Sequence, residues 1–219
     1  MLVTLLAAAL AQAGAPAAAP ESDPAWIAAK ANKARMKTAP GYRAGPTDPT
    51  PPPEALAAGE HGRVVVAAIV GTDGKLRALR VAQSSRAPRL DALALERAAA
   101  WELTPALDAE GKPIEVTVGL PFDFFAGGTQ EGKELQNYRC DQLVRDQDWW
   151  RKTWPEKPLD HFYVMTANMV ALDASSREGA AITDNARAFP AVWEKTIAGC
   201  RAHPEAPAMA VFGPLWRRH

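Results

Sequence analysis

The chain is short of the residues that usually announce chemistry. Its 219 residues include two cysteines and four histidines, and 25 lysines and arginines balance 25 aspartates and glutamates. A chain without net charge has no long-range field to gather a phosphate backbone or an anionic bilayer. Nucleic-acid binding and polybasic attachment to a membrane surface are therefore disfavoured. His61, His161, His203 and His219 have no i, i+3 or i, i+4 partner that would put two metal ligands on one helical face. Neither cysteine sits in a C-x-x-C redox motif, and Ser84-Ser85 lacks a G-x-S-x-G frame. Gly71-Thr72-Asp73-Gly74 reads as a hairpin turn, because no helix N-terminus follows to cradle a phosphate. Asp160-His161 reads as an acidic helix start beside a histidine before it reads as an acid–base pair. These absences point to a non-enzymatic protein with no catalytic residue, no metal and no cofactor.

Long apolar runs are also scarce. The one that exists, Leu2 to Leu10, opens a stretch of 20 residues without a charge. It runs into the small residues Ala11-Gln12-Ala13-Gly14-Ala15, the layout of a secretory signal peptide with an A-x-A cleavage site. A membrane anchor needs about 20 strongly apolar residues, so export with cleavage is the first expectation for residues 1–19 and a retained anchor the second. Export sends Cys140 and Cys200 to an oxidising compartment, where an even count predicts one disulfide. Two separate buried thiols are the alternative.

What is present changes along the chain. Nine of the 19 prolines lie between Pro16 and Pro53, so residues 20–58 read as a Pro/Ala-rich linker with a short helix near Ala25–Met36. Arg63–Val70 is β-branched and bounded by glycine, which predicts a strand. Asp73-Gly74 supplies the turn, and Lys75–Val81 alternates as a second antiparallel strand. Pro88 suits the first position of a helix whose apolar face is Leu90, Leu93, Ala94, Ala98 and Trp101. Ile114–Leu120 is a third strand. The first strand is apolar on both faces, Val64/Val66/Ala68/Val70 and Val65/Ala67/Ile69. The second face needs a cover, either the C-terminal region or another copy of the chain.

In this β-β-α-β stretch, Gly62-x-Val64-x-Val66, Asp73-Gly74 and Val81-x-x-Ser84-Ser85 stand in order. Pro88-x-Leu90-Asp91-x-x-Ala94-Leu95-x-x-Ala98-x-x-Trp101, Pro105-Ala106, Gly111-x-Pro113 and Val116-x-Val118-x-x-Pro121-Phe122-x-Phe124 follow. Over residues 60–125 this resembles the C-terminal domain of TonB-type energy transducers. The resemblance implies a protein-interaction domain in the periplasm, with a protein partner in the cell envelope; an outer-membrane receptor and a second copy of the chain are the candidates. A small open sheet can receive an extended partner segment at its edge. The third strand, with Ile114, Val116 and Val118, is the candidate edge, and Pro121 limits pairing there. Transducers of that kind resemble an inner-membrane helix joined to this domain by a long spacer. A membrane-anchored transducer driving outer-membrane transport is therefore the rival reading.

After Gly127-Gly128 the composition becomes helical: 131–154, 159–174 and 190–202, with Val192, Trp193, Ile197 and Cys200 near one face. Trp149, Trp150 and Trp154 read as the core of a small helical unit before a ligand-stacking cluster. Trp193-x-x-x-Ile197-x-x-Cys200-Arg201-Ala202-His203-Pro204 resembles small periplasmic acid chaperones of the HdeA kind. That leaves a small periplasmic enzyme or chaperone as a third reading. The expected fold is α+β: residues 59–126 a TonB C-terminal-like β-β-α-β domain, and 130–213 a helical domain clipped by Cys140–Cys200.

Overall fold

The computed structural model describes residues 22–48, 50–125, 138–157, 159–175 and 182–216. The signal-peptide expectation and the first turns expected of the 131–154 helix lie outside them. The first described element is helix α1 (Pro24–Asn32), followed by a 3-10 turn at Lys33–Arg35. A short strand β1 (Tyr42–Ala44) and helix α2 (Pro53–Ala58) lead into β2 (Gly62–Val70) and β3 (Leu76–Gln83). Helix α3 (Pro88–Ala99) precedes the two-residue strands β4 (Glu102–Leu103), β5 (Ala106–Leu107) and β6 (Pro113–Ile114), then β7 (Val116–Phe124).

The main sheet has three antiparallel strands in the order β3-β2-β7, while β1/β4 and β5/β6 are separate ladders. The β-β-α-β order expected from the sequence is thus the observed one. β2 and β7 pair without interruption from Gly62↔Phe124 to Val70↔Val116. The β2/β3 ladder slips twice, and Ala78 has φ of 52°, which marks bulged backbone in β3. The hairpin turn requires Gly74. Its φ is +81°, and a Cβ there would collide with the Leu103 carbonyl oxygen.

Both faces of β2 are buried, by different partners. Val64, Val66 and Val70 join Leu120, Phe122 and Phe124 of β7 under Leu90, Ala94 and Ala98 of α3. Pro88 starts that helix, and Asp91 in its first turn accepts from Ser84 Oγ (2.5 Å), Ser85 N (2.9 Å) and Ser85 Oγ (2.9 Å). Ser84-Ser85 thus closes the strand-to-helix corner. On the other face, Ala67 and Ile69 lie against Trp26 and Ala29 of α1. The cover is this N-terminal helix, neither the C-terminal region nor a second copy. Its amphipathic signal is weak because two small alanine-rich turns carry only one large apolar anchor, Trp26.

The rest of the segment expected as a linker also lies against the sheet unit. Asn32 Nδ2 donates to Glu115 O (2.9 Å), and the Lys37 and Thr38 amides donate to Leu107 O (2.8 and 3.0 Å). β1 pairs with β4, and Trp101 Nε1 donates to Pro46 O (2.8 Å).

The C-terminal half contains helices α4 (Cys140–Thr153), α5 (His161–Ser175), α6 (Ile182–Ala202) and α7 (Ala208–Trp216). The Cys140–Cys200 disulfide joins α4 to α6. The core gathers Tyr138, Leu143, Phe162, Phe189, Val192, Trp193, Ile197 and Phe212. The sequence reading started the third helix at Pro190, but α6 begins at Ile182 and carries that proline inside. The helix α7 was not expected from the sequence, and it carries Pro214 inside.

Candidate functional site

The sheet has two outer strands, and they differ as docking edges. β3 is bulged at Ala78, and its start is extended by a bridge between Lys75 and Glu102. Bulges and twisted edges resist further pairing. β7 is nine residues in unbroken register with β2, and among the described residues no strand stands beyond it in the sheet order. Its single defect as a template is Pro121, opposite Val65, which has no N–H to donate.

The structure splits the three expected edge residues between two ladders. Val116 and Val118 belong to β7, whereas Ile114 belongs to β6 and pairs with Ala106. Ile114 and Val116 are buried with Ala106, and Met36 and Val118 pack against them. An added strand would therefore meet their main chain and not their side chains.

Beside the second half of β7 lies a groove of about 210 Å³ lined by Pro46–Asp48, Arg97, Trp101 and Pro121–Phe124. Trp101 is tilted against Phe122 with ring centroids 5.0 Å apart, and Tyr42 meets its other side edge-on at 5.3 Å. The Arg97 guanidinium lies 5.5 Å from the Phe124 ring centre, donates to Asp48 O, and reaches Thr50 O at 3.1 Å. The Thr50 amide donates to Asp48 Oδ1 (2.8 Å), and hydrogen bonds from Thr50 hold the Asp48 carboxyl below its ordinary value. The floor is thus aromatic, and two donors on α3 and its exit turn point at main-chain carbonyls of one extended segment.

A second concentration of functional groups lies where the helical unit meets the start of β2. His61 is 2% exposed, its Nδ1 is 2.8 Å from Gly59 O, and its Nε2 is 3.3 Å from Asp160 Oδ2. Its ring stacks on Trp150 at 5.1 Å and lies tilted to Trp149 at 5.2 Å. Asp160 also accepts from Gln147 Nε2 and from the Tyr163 amide (2.7 Å). Asp146, 1% exposed, accepts from Tyr138 Oη and from Arg145 Nε (2.8 Å). Burial pushes its carboxyl above the usual range, against the opposing pull of Arg145 and Tyr138. Burial, then the charge of Asp146, pushes Tyr138 well above its ordinary value, so it stays an un-ionised donor.

A His–Asp pair is a common base arrangement, and this one is buried, with two indoles packed against the His61 ring. It locks two units together. The sequence separation of His61 from Asp146 and Asp160 hid the cluster, and no spacing rule would have found it. Asp160 takes the helix-start position expected of it; the side chain of His161 lies outside the described residues. Trp149, Trp150 and Trp154 belong to this seam. Arg86 completes it: its guanidinium sits 3.8 Å from the Trp154 ring centre, donates to Thr153 O (2.8 Å) and pairs with Glu156.

Among the described residues there is no cluster of three or more His, Cys, Asp or Glu arranged to hold a metal ion. Nor is any helix among them long and apolar enough to cross a membrane.

The family model for the Gram-negative bacterial TonB protein C-terminal matches residues 48–125, the stretch that holds α2, the three-stranded sheet and α3. This is the family that the motifs of 60–125 resemble. No curated protein and no solved structure matches the chain. The matched stretch starts twelve residues before the resemblance read from the motifs, at Asp48 rather than position 60. It therefore includes α2 and part of the segment that rims the groove.

Proposed function

We propose that this chain is a non-enzymatic protein-interaction module of Gram-negative envelope transport, receiving an extended segment of a protein partner along the outer edge of β7. The match of residues 48–125 supports the coarse part, a TonB-like interaction domain of the envelope. The observation that carries the finer part is the position of β7, a long strand in unbroken register at the end of the sheet. Main-chain hydrogen bonds would supply affinity at such an edge, and the groove beside it would supply selectivity.

In this reading residues 1–19 direct export to the periplasm, 59–126 form the partner-binding unit, and 130–213 are an appended helical unit. The helical unit, packed against the first where Trp149 and Trp150 meet His61, sets orientation in this reading. An outer-membrane receptor is the partner class that fits an envelope module of this kind.

The test is position-dependent crosslinking in intact cells. A photo-reactive side chain at Gly119, exposed on β7 with 3.5 Å to Val65 Cγ1 for a new Cβ, should trap an outer-membrane protein. The same group at Glu96, exposed on α3, should not. Equal yields at both positions, or none at Gly119, would remove the edge reading.

A further inference from the structure

One wall of the groove beside β7 is the chain's own segment Pro46–Asp48. Two features of its chemistry suit proline. Proline has no N–H, so an extended proline-containing segment can be recognised only through its carbonyls and its rings. The donors here, Trp101 Nε1–H to Pro46 O and the Arg97 guanidinium to Asp48 O and Thr50 O, both address carbonyls. The ring surfaces of Trp101, Phe122, Phe124 and Pro121 line the open space of about 210 Å³ beside that segment.

The segment that occupies the rim is held lightly. Residues 41–48 are all exposed, and what binds them there is the β1/β4 ladder, the Gly41–Thr104 contacts and these carbonyl bonds. Gly45 lets the chain pass. Its φ is +139°, and a Cβ would stand 2.5 Å from Trp101 Cδ1 and 3.0 Å from Trp101 Cα. A side chain at this one position would push the segment off the indole while leaving the groove intact.

We propose that this face is a binding site for an extended, proline-containing segment of a partner protein, and that the chain's own Pro46–Asp48 and Thr50 occupy its donors in cis. It rests on the reading of this side of the sheet as the partner-facing side. A cis segment on a short tether competes at an effective concentration of about the millimolar range. A free peptide of moderate affinity is then excluded until the cis segment leaves.

The test uses the purified full chain and a fluorescent synthetic peptide with the sequence of Ala44–Pro53 as the probe. Gly45→Ala should bind it at least tenfold more tightly than the wild type in anisotropy titrations. Adding Trp101→Phe, which keeps the ring and removes the N–H, should reverse most of that gain. In parallel, the indole proton of Trp101 should exchange with solvent several-fold faster in Gly45→Ala. A second variant, with residues 46–50 replaced by Gly-Ser-Gly-Ser-Gly, provides an independent release. Equal peptide affinity in the wild type and both variants overturns the proposal. So does a concentration-dependent dimer of either variant, which would assign the groove to a second copy. The assay needs no envelope partner, so its failure is distinct from failure of the Gly119 crosslink.

Discussion

Ile69 shows how one side chain ties the two ends of the sheet unit together. It is 1% exposed, with Trp26 and Ala29 above it and Ala67 beside it. Ile69→Glu places a carboxylate among apolar groups with no partner, a change that costs several times an ordinary surface substitution. The expected loss is about 3 kcal/mol or more, read as a lower urea midpoint with unchanged slope. A change below about 0.5 kcal/mol would mean that α1 does not cover this face. Asp146 makes a different prediction. Its folded pKa is raised by burial above its unfolded value. Its contribution to stability is therefore present at low pH and lost as pH rises through the folded pKa. Relative to Asp146→Asn, the wild type should lose stability between acidic and neutral pH. A gap that stays constant, or moves the other way, in urea titrations at several pH values would refute that sign.

Among the elements, those of the sheet were legible because each carries its own local signal. β-branched runs, Asp73-Gly74 and Pro88 mark β2, the turn and α3 within one or two residues. The strands β1, β4, β5 and β6 have two or three residues each, too few for any period to show, and they exist because distant chain passes within reach. α6 was legible only after Pro190, because nothing local shows that the preceding turns tolerate a proline. The disulfide was legible from count and compartment alone, and the structure adds what it joins. Cys140 and Cys200 are 60 residues apart, so closing that loop removes about 4 kcal/mol of unfolded-state entropy in the chain-entropy estimate. Cys200→Ser should lower stability by a large part of that amount. Dithiothreitol should do the same to the wild type and nothing further to the variant. If the variant melts with the wild type, the helical unit holds without its clip.

At the scale of the molecule, the outer strand β7 was partly readable and the seam was not. The β-β-α-β succession was legible in the local signals of residues 60–125, while the spatial order that puts β7 on the outside comes from the structure. The seam depends on His61 meeting Asp160, a contact about 100 residues apart in sequence, which leaves no periodic trace. The consequence of that seam is mechanical. Arg86 has φ of 62° and reaches Trp154, Thr153 and Glu156, while His61 is clasped by Trp149 and Trp150. Two units joined by buried stacking and a charged hydrogen bond should unfold together. A unit that merely trails on a tether melts on its own. The wild type should therefore show one calorimetric transition. Arg86→Ala removes the stacking and the hydrogen bond to Thr153 O, each worth about 1 kcal/mol, from the exposed rim of the seam. Trp150→Ala removes the ring under His61 from its centre. Arg86→Ala should lower the single transition by a few degrees, and Trp150→Ala should split it in two. Two transitions in the wild type, or one unchanged transition in both variants, would mean that the helical unit does not take its orientation from the sheet.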